Sequence, residues 1–262
     1  MNNILIIINL IVISIALKAA PIPMLSQADE ASRKALELAQ DNPEAAATQW
    51  RLVCDLYEQA RKNPAISNGE LYYNLGNAYA QLDDYAHAIL NYRRAQLFLP
   101  RDRQLQANLQ YARAKRQDHF PEPEISPVLQ TLCFWHYDFS FHARLWIAIL
   151  LNAAFWLNAI LLLWRRPTWL KITAVILFLG TLAFGGSVLA SARSLHNTHP
   201  AVILATEVTP RKGDGFSYDP AFDAPIHAGT EVMILRTRGS WNEIALPNRL
   251  TGWLPDDTLE AL

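Results

Sequence analysis

Between residues 30 and 115 apolar side chains return every three or four positions, without the alternation of a strand. That spacing puts them on one face of successive helices and predicts an all-helical segment over residues 26–116. After Ala201 the texture changes to AVILATEVTPR, EVMILRTRGSWNEIAL and TGWLP, short runs of Val, Ile and Leu broken by Gly, Pro and Asn. They predict a small antiparallel barrel or sandwich over residues 200–262, near the lower size limit for independent folding. Between these regions lie Leu145–Trp164 and Ile172–Ala190, uninterrupted by charge and each long enough to cross a bilayer. They predict transmembrane helices over 144–165 and 171–193, joined by a tight loop over 166–170. A third apolar block, Ile4–Leu17, is shorter and is followed by Lys18, Ala19 and Ala20. Residues 1–20 therefore read as an export signal or, if uncleaved, as an N-terminal anchor.

Composition sharpens this picture. Of 262 residues 51% are hydrophobic and 18% charged, with a formal net charge of -1, and the apolar excess is concentrated in the three blocks. With near-neutral charge and no Lys/Arg-rich run there is no electrostatic case for nucleic acid. The basic residues Arg165, Arg166 and Lys171 around the tight loop outnumber Arg144 and Arg193 at the outer flanks. The positive-inside bias places that loop in the cytoplasm and both large segments on the outer side, in agreement with an export signal. Trp146, Trp164 and Trp169, with FWHYDFSF from Phe134 to Phe141, suit a membrane interface. Residues 117–143 form a linker whose Pro121, Pro123 and Pro127 favour an extended tether. Cys54 and Cys133 read as small buried hydrophobes rather than as a disulfide framework.

Gly76 interrupts an otherwise helical run at a cost of about 1 kcal/mol relative to alanine. The 34 residues GELYYNLGNAYAQLDDYAHAILNYRRAQLFLPRD from Gly69 explain it, because they resemble one tetratricopeptide unit. Tyr72, Leu75, Gly76, Tyr79, Ala88, Tyr92, Ala95 and Pro100 fall at the family's spaced positions. The resemblance implies two helices crossing closely at Gly76 and Ala88, with a turn at Asp83 and Asp84. Arg103 to Lys115 follows as a solvating helix burying Leu105, Leu109 and Ala112. Upstream, Ala35, Leu38, Trp50, Val53, Leu56 and Tyr57 suggest a degenerate helix pair. Repeat geometry further implies a concave partner-binding groove lined by Tyr73, Asn77, Gln81, Gln104, Tyr111 and Lys115, while Arg93 and Arg94 fall on a charged outer face.

From His227 onward, Gly229, Trp241, Gly252, Trp253 and Leu254 give the chain a resemblance to bacterial SH3-like domains. This implies a core filled by Val232, Ile234, Ile244, Leu246 and Trp253. Phe216 and Tyr218, on the loop 212–225, join Trp241 and Trp253 as a candidate contact surface; the loop could equally fold back as a lid.

No catalytic constellation emerges, and neither a cofactor nor a metal is expected. His196 and His199 have HxxH spacing but no acidic partner nearby, and Gly185, Gly186 and Ser187 lie within an apolar span, where small residues let helices approach. The order of parts resembles the BatE-type proteins of bacterial aerotolerance (Bat) operons, its most specific stretches being GELYYNLGNAYAQLDDYAHAILNYRRAQLFLP and WNEIALPNRLTGWLP. That resemblance implies a non-enzymatic inner-membrane scaffold with periplasmic repeat and SH3-like domains. Its implied partners are the lipid bilayer, von Willebrand factor A domain proteins and a MoxR-type ATPase, in a role in envelope stress tolerance. The alternative is an adaptor that binds peptidoglycan and recruits a cell-wall hydrolase.

Overall fold

The computed structural model describes residues 23–63, 68–120, 127–165, 167–197 and 199–262. The N-terminal apolar block, most of the proline-rich tether, Arg166 and the His196 side chain lie outside the described residues. The chain divides into two units between Ser67 and Asn68, a boundary inside the helical segment that the sequence pattern presents as continuous.

The first unit is a helix pair, α1 (Pro23–Leu38) and α2 (Pro43–Arg61). Asn42 caps α2 by accepting a hydrogen bond from the Ala45 backbone at 3.0 Å, and Pro43 occupies a first-turn position where a missing N–H costs nothing. Ala28, Ala31 and Ala35 of α1 are buried, as are Trp50, Val53, Cys54 and Tyr57 of α2, so small residues on one helix let large ones on the other close in.

The second unit begins with α3 (Gly69–Gln81), α4 (Tyr85–Phe98) and α5 (Arg103–Lys115). Each starts on an Asn or Asp N-cap: Asn68, Asp84 and Asp102. Asp83, at φ 57°, makes the turn between α3 and α4. Two short helices, α6 (Pro127–Leu132) and α7 (Phe134–Tyr137), occupy the expected linker and lead into the hairpin of α8 (Phe141–Trp164) and α9 (Thr168–Asn197). The hairpin helices overrun the sequence-based spans because Ser140 caps α8 and α9 continues to the edge of the sheet. Both are long and apolar enough to cross a membrane. Trp156, Leu157, Leu163, Ile176 and Leu179 point outward, a sheath suited to lipid rather than water. Between the helices, Asn158 donates from Nδ2 to Thr173 Oγ1 at 2.6 Å. An added Cβ at Gly180 would come within 3.2 Å of Leu151, whereas at Gly185 and Gly186 it would meet nothing within 4 Å. Close approach therefore occurs at Gly180, not at the Gly-Gly pair.

The C-terminal part is an antiparallel sheet in the order β6 (Thr251–Pro255), β5 (Trp241–Ala245), β4 (Glu231–Arg238), β1 (His199–Ile203) and β7 (Leu259–Ala261), beside a two-stranded ribbon of β2 (Glu207–Val208) and β3 (Ile226–His227). Because strand side chains alternate, β1 serves two cores. Ala201 and Ile203 join Val232, Ile244, Leu246 and Leu254 inside the sheet. Val202, between them, packs instead among Ala88, Ile89, Tyr92, Leu105 and Leu109 of the helices. A sheet this small leaves apolar surface on its outer face, and α4 and α5 cover it. Sheet and helices thus share a core, through Val202. Helices before the hairpin and strands after it touch, so both must lie on one side of any bilayer the hairpin crosses.

Candidate interaction surface

The sheet rests on α4 and the C-terminal end of α5 and does not cover the α3/α5 face. The floor of that face is a hydrogen-bond network. Asn77 Oδ1 accepts from the Tyr92 hydroxyl at 2.9 Å and from Asn108 Nδ2 at 2.9 Å, and Asn108 Nδ2 also reaches the Tyr73 hydroxyl at 3.2 Å. Burial, reinforced by Tyr73, pushes the Tyr92 phenol above its ordinary range and keeps it a donor. Tyr73 and Asn77 are therefore brought together, through Asn108, a residue that sequence reasoning missed. Around this floor Gln81 and Gln104 are exposed, and Tyr111 is 56% exposed, with the Lys115 ammonium 5.4 Å from its ring centre and Tyr85 edge-on at 6.2 Å. The six expected residues thus divide into a braced polar floor and an exposed rim that includes an aromatic–cation pair.

The second expected surface divides differently. Phe216, 74% exposed, stands edge-on against Trp241 with ring centres 4.9 Å apart. Tyr218 instead covers Gly213, where an added Cβ would lie 2.8 Å from the ring. The loop 212–225 therefore folds back on the sheet. Trp253 is buried, but its strand neighbour Leu254 is the one that points into the sheet core. The Trp253 ring lies beneath the guanidinium groups of Arg236 and Arg238, at 5.3 and 5.4 Å. This corrects the assignment of Trp253 to the inner core, since adjacent strand residues face opposite ways. Gly252 fits the tight approach expected of it, as an added Cβ would sit 2.7 Å from Pro210 Cβ.

Arg93 and Arg94 do not form a solvated outer face. Arg94 is buried, donating to Glu260 at 2.7 Å and to the Ala261 carbonyl at 2.6 Å. Arg93 joins Arg113 and Arg116 around Glu231. Arg113 makes a two-pronged contact with that carboxylate at 2.8 and 2.9 Å, with Arg93 at 3.0 Å and Arg116 at 3.2 Å. Nothing local in the sequence announces this clamp, whose partners stand more than a hundred residues apart.

A second latch holds the loop after α5 to the turn before β4. Asp118 accepts from the His227 backbone N–H at 2.6 Å, the His227 ring at 3.0 Å and the Thr230 hydroxyl at 3.0 Å. The turn carries Gly229 at φ +85°, where an added Cβ would approach Ile89 at 3.3 Å, so both the turn and its docking on α4 favour glycine. Burial alone would raise the Asp118 carboxyl, but the hydrogen bonds from His227 and Thr230 outweigh it and hold the group below its ordinary value. A depressed carboxylate stabilises the fold above its unfolded-state value and loses that contribution as pH falls through the lower folded-state value. Asp118→Asn is expected to cost about 1–3 kcal/mol at neutral pH. The gap from wild type should close as pH drops below about 4, as read by denaturant titration across pH. An equal gap at acid and neutral pH would contradict the latch.

Among the described residues no group of three His, Cys, Asp or Glu side chains could hold a metal. Cys54 is buried and Cys133 half-buried, and neither takes part in a disulfide among the described residues. Comparison with family models, with curated proteins and with solved structures finds no significant match.

Proposed function

We propose that this chain is a membrane-anchored adaptor whose α3/α5 face holds a protein partner while the hairpin fixes it in the bilayer. The observation that carries the reading is that face itself: Tyr111, Lys115, Gln81 and Gln104 are exposed over a floor braced by Asn77, Asn108 and Tyr92. An aromatic anchor beside adaptable polar groups on a rigid base is the usual makeup of a binding hot spot. Docking of the sheet on the far side keeps the base stiff, so little ordering cost attends binding.

In this reading α3 and α4 form a tetratricopeptide-like unit, supported by the close fit of Tyr92 against Gly76, and α5 is its solvating helix. The five-stranded sheet is an SH3-like domain, supported by the positions of Gly229, Trp241 and Gly252 at its turns and strands. The basic turn of the hairpin faces the cytoplasm, both folded parts face the periplasm, and the likeness to BatE-type proteins nominates a von Willebrand factor A domain protein as partner, within a complex driven by a MoxR-type ATPase. The chain itself carries out no reaction.

Site-specific photocrosslinking in intact membranes tests this. A photoreactive residue at Tyr111 or Gln104 should give one discrete protein adduct, and the same group at the exposed Leu235 on the sheet should not. Tyr111→Ala should weaken capture about tenfold, the effect of losing an aromatic anchor. Adducts at Leu235 alone would overturn the reading. The exposed Phe216 against Trp241 favours a second reading, that of a peptidoglycan adaptor. Sedimentation with purified peptidoglycan that is lost on Phe216→Ala, together with no adduct at Tyr111, would establish that reading instead.

A further inference from the structure

At the end of the hairpin remote from its loop, Arg144 of α8 is only 7% exposed. At the helical rise it lies about 30 Å along α8 from Trp164, and Ser187 lies about 28 Å along α9 from Thr168. Both therefore sit one hydrocarbon thickness from the loop, at headgroup depth. Arg144 donates from one guanidinium nitrogen to Ser187 Oγ at 2.7 Å and to His136 Nδ1 at 3.0 Å, and the Ser187 hydroxyl is 2.8 Å from the same ring nitrogen. Burial, with Arg144 alongside, lowers the proton affinity of His136, which leaves its Nδ1 as an acceptor. The triangle is thus closed among neutral partners. No carboxylate pairs with Arg144 among the described residues, Asp138 being turned to Arg101 at 3.7 Å. The Arg144 Nε is buried and has no hydrogen-bond partner. A buried cation without a counter-charge is costly, and an orphaned donor adds to that cost.

Arg144 lines a cavity of about 500 Å³. Its walls include Phe98, Tyr137 and Phe141, with Ser140, His142 and Ser191 as polar groups, so it is apolar in body with hydroxyl and imidazole groups at hand. An occupant that matches both the uncompensated cation and the aromatic walls has an anionic head and an apolar body.

We infer that this cavity binds the phosphate of an anionic phospholipid, with Arg144 as the counter-charge and the aromatic walls against the upper acyl chains. The inference rests on the hairpin crossing a bilayer, which extraction from membranes by detergent but not by alkaline carbonate checks separately.

The full-length protein, purified in a phosphate-free maltoside detergent, is mixed with phosphatidylglycerol, with diacylglycerol or with inorganic phosphate. Native mass spectrometry counts retained lipid, and melting is followed in parallel. One phosphatidylglycerol per chain should be retained, with a rise in melting temperature that diacylglycerol does not produce. Arg144→Gln should weaken retention about tenfold, the scale of one lost charge-assisted contact. Ala190→Trp, which fills the cavity while keeping Arg144, His136 and Ser187 themselves unchanged, should do the same, and it carries the test if Arg144→Gln fails to fold. Undiminished retention by Ala190→Trp, or equal retention of diacylglycerol, would overturn the site. Inorganic phosphate that alone reproduces the stabilisation and displaces the lipid would overturn the lipid assignment in favour of a free anion.

Discussion

Glu231→Gln should lower the stability of the unit spanning residues 68–262 by about 3 kcal/mol, the scale seen when one partner of a buried ion pair is removed. The side chain is nearly isosteric, so packing is kept while the charge is lost. Three guanidinium groups would then converge on a neutral amide, and Arg113 and Arg116, with side chains only 11% and 8% exposed, cannot turn to water without opening the interface. Arg93, at 32%, is screened in part, which holds the expected loss at the low end of the range. The matched control is Glu243→Gln. Glu243 pairs with Arg236, whose side chain is 60% exposed, and solvent and salt screen such a surface pair so that it contributes little to stability. Thermal melting of the detergent-solubilised chain gives the comparison, and trypsin gives a local one, because Arg113 and Arg116 are cleavage sites that the docked sheet protects. Equal melting and equal cleavage for the two variants would remove Glu231 from its place as the clamp.

Gly76→Ala is expected to destabilise the helices by about 1–3 kcal/mol through overpacking, although helix propensity alone favours alanine by about 1 kcal/mol. An added Cβ would stand 2.6 Å from Tyr92 Cδ1 and 2.7 Å from Cε1. The ring has nowhere to retreat. It is almost fully buried among Ala88, Leu105 and Leu109, and its hydroxyl is tied to Asn77. Tyr92→Leu removes the obstacle, so in the Tyr92→Leu background the alanine should become neutral or stabilising. The double-mutant cycle then gives a coupling that a simple propensity effect cannot produce. A stabilising Gly76→Ala in the wild-type chain would show that the two helices are not closely crossed there.

Both variants probe contacts whose legibility in the sequence differs. Gly76 is a local anomaly, a poor helix former at a regular spacing from Tyr79, Ala88 and Tyr92, so the chain itself announces that something packs there. Glu231 carries no such mark. It is one acidic residue among many at the start of a strand, and its three partners come from α4, α5 and the residue that caps α5, far back in the sequence. Asn77 was visible as a polar position on a helix face. Its conversion from a rim residue to a braced floor depended on Asn108, which the same periodicity would have left in solvent. Arg144 reads naturally as a flanking charge at a span's edge, and its burial against Ser187 follows from how α8 and α9 pair.

Hydrophobic period and charge along the chain are enough to place the main helices, the two long apolar helices and the C-terminal strands, because those depend on which faces a segment must hide from water; the short helices α6 and α7 in the linker carry no such mark. They also settle that the hairpin is tight, since few residues separate its apolar blocks. Which surfaces then meet is decided in three dimensions. The sheet does not stand alone because alternation along β1 gives Val202 to the helices and its neighbours to the strands. Once that face docks, arginines on α4 and at the end of α5 find carboxylates brought to them by strand order, and the sheet leaves the opposite helix face to other contacts. Local pattern carries no information about such pairings, because their energy comes from charges and volumes that only the folded chain brings within a few ångströms.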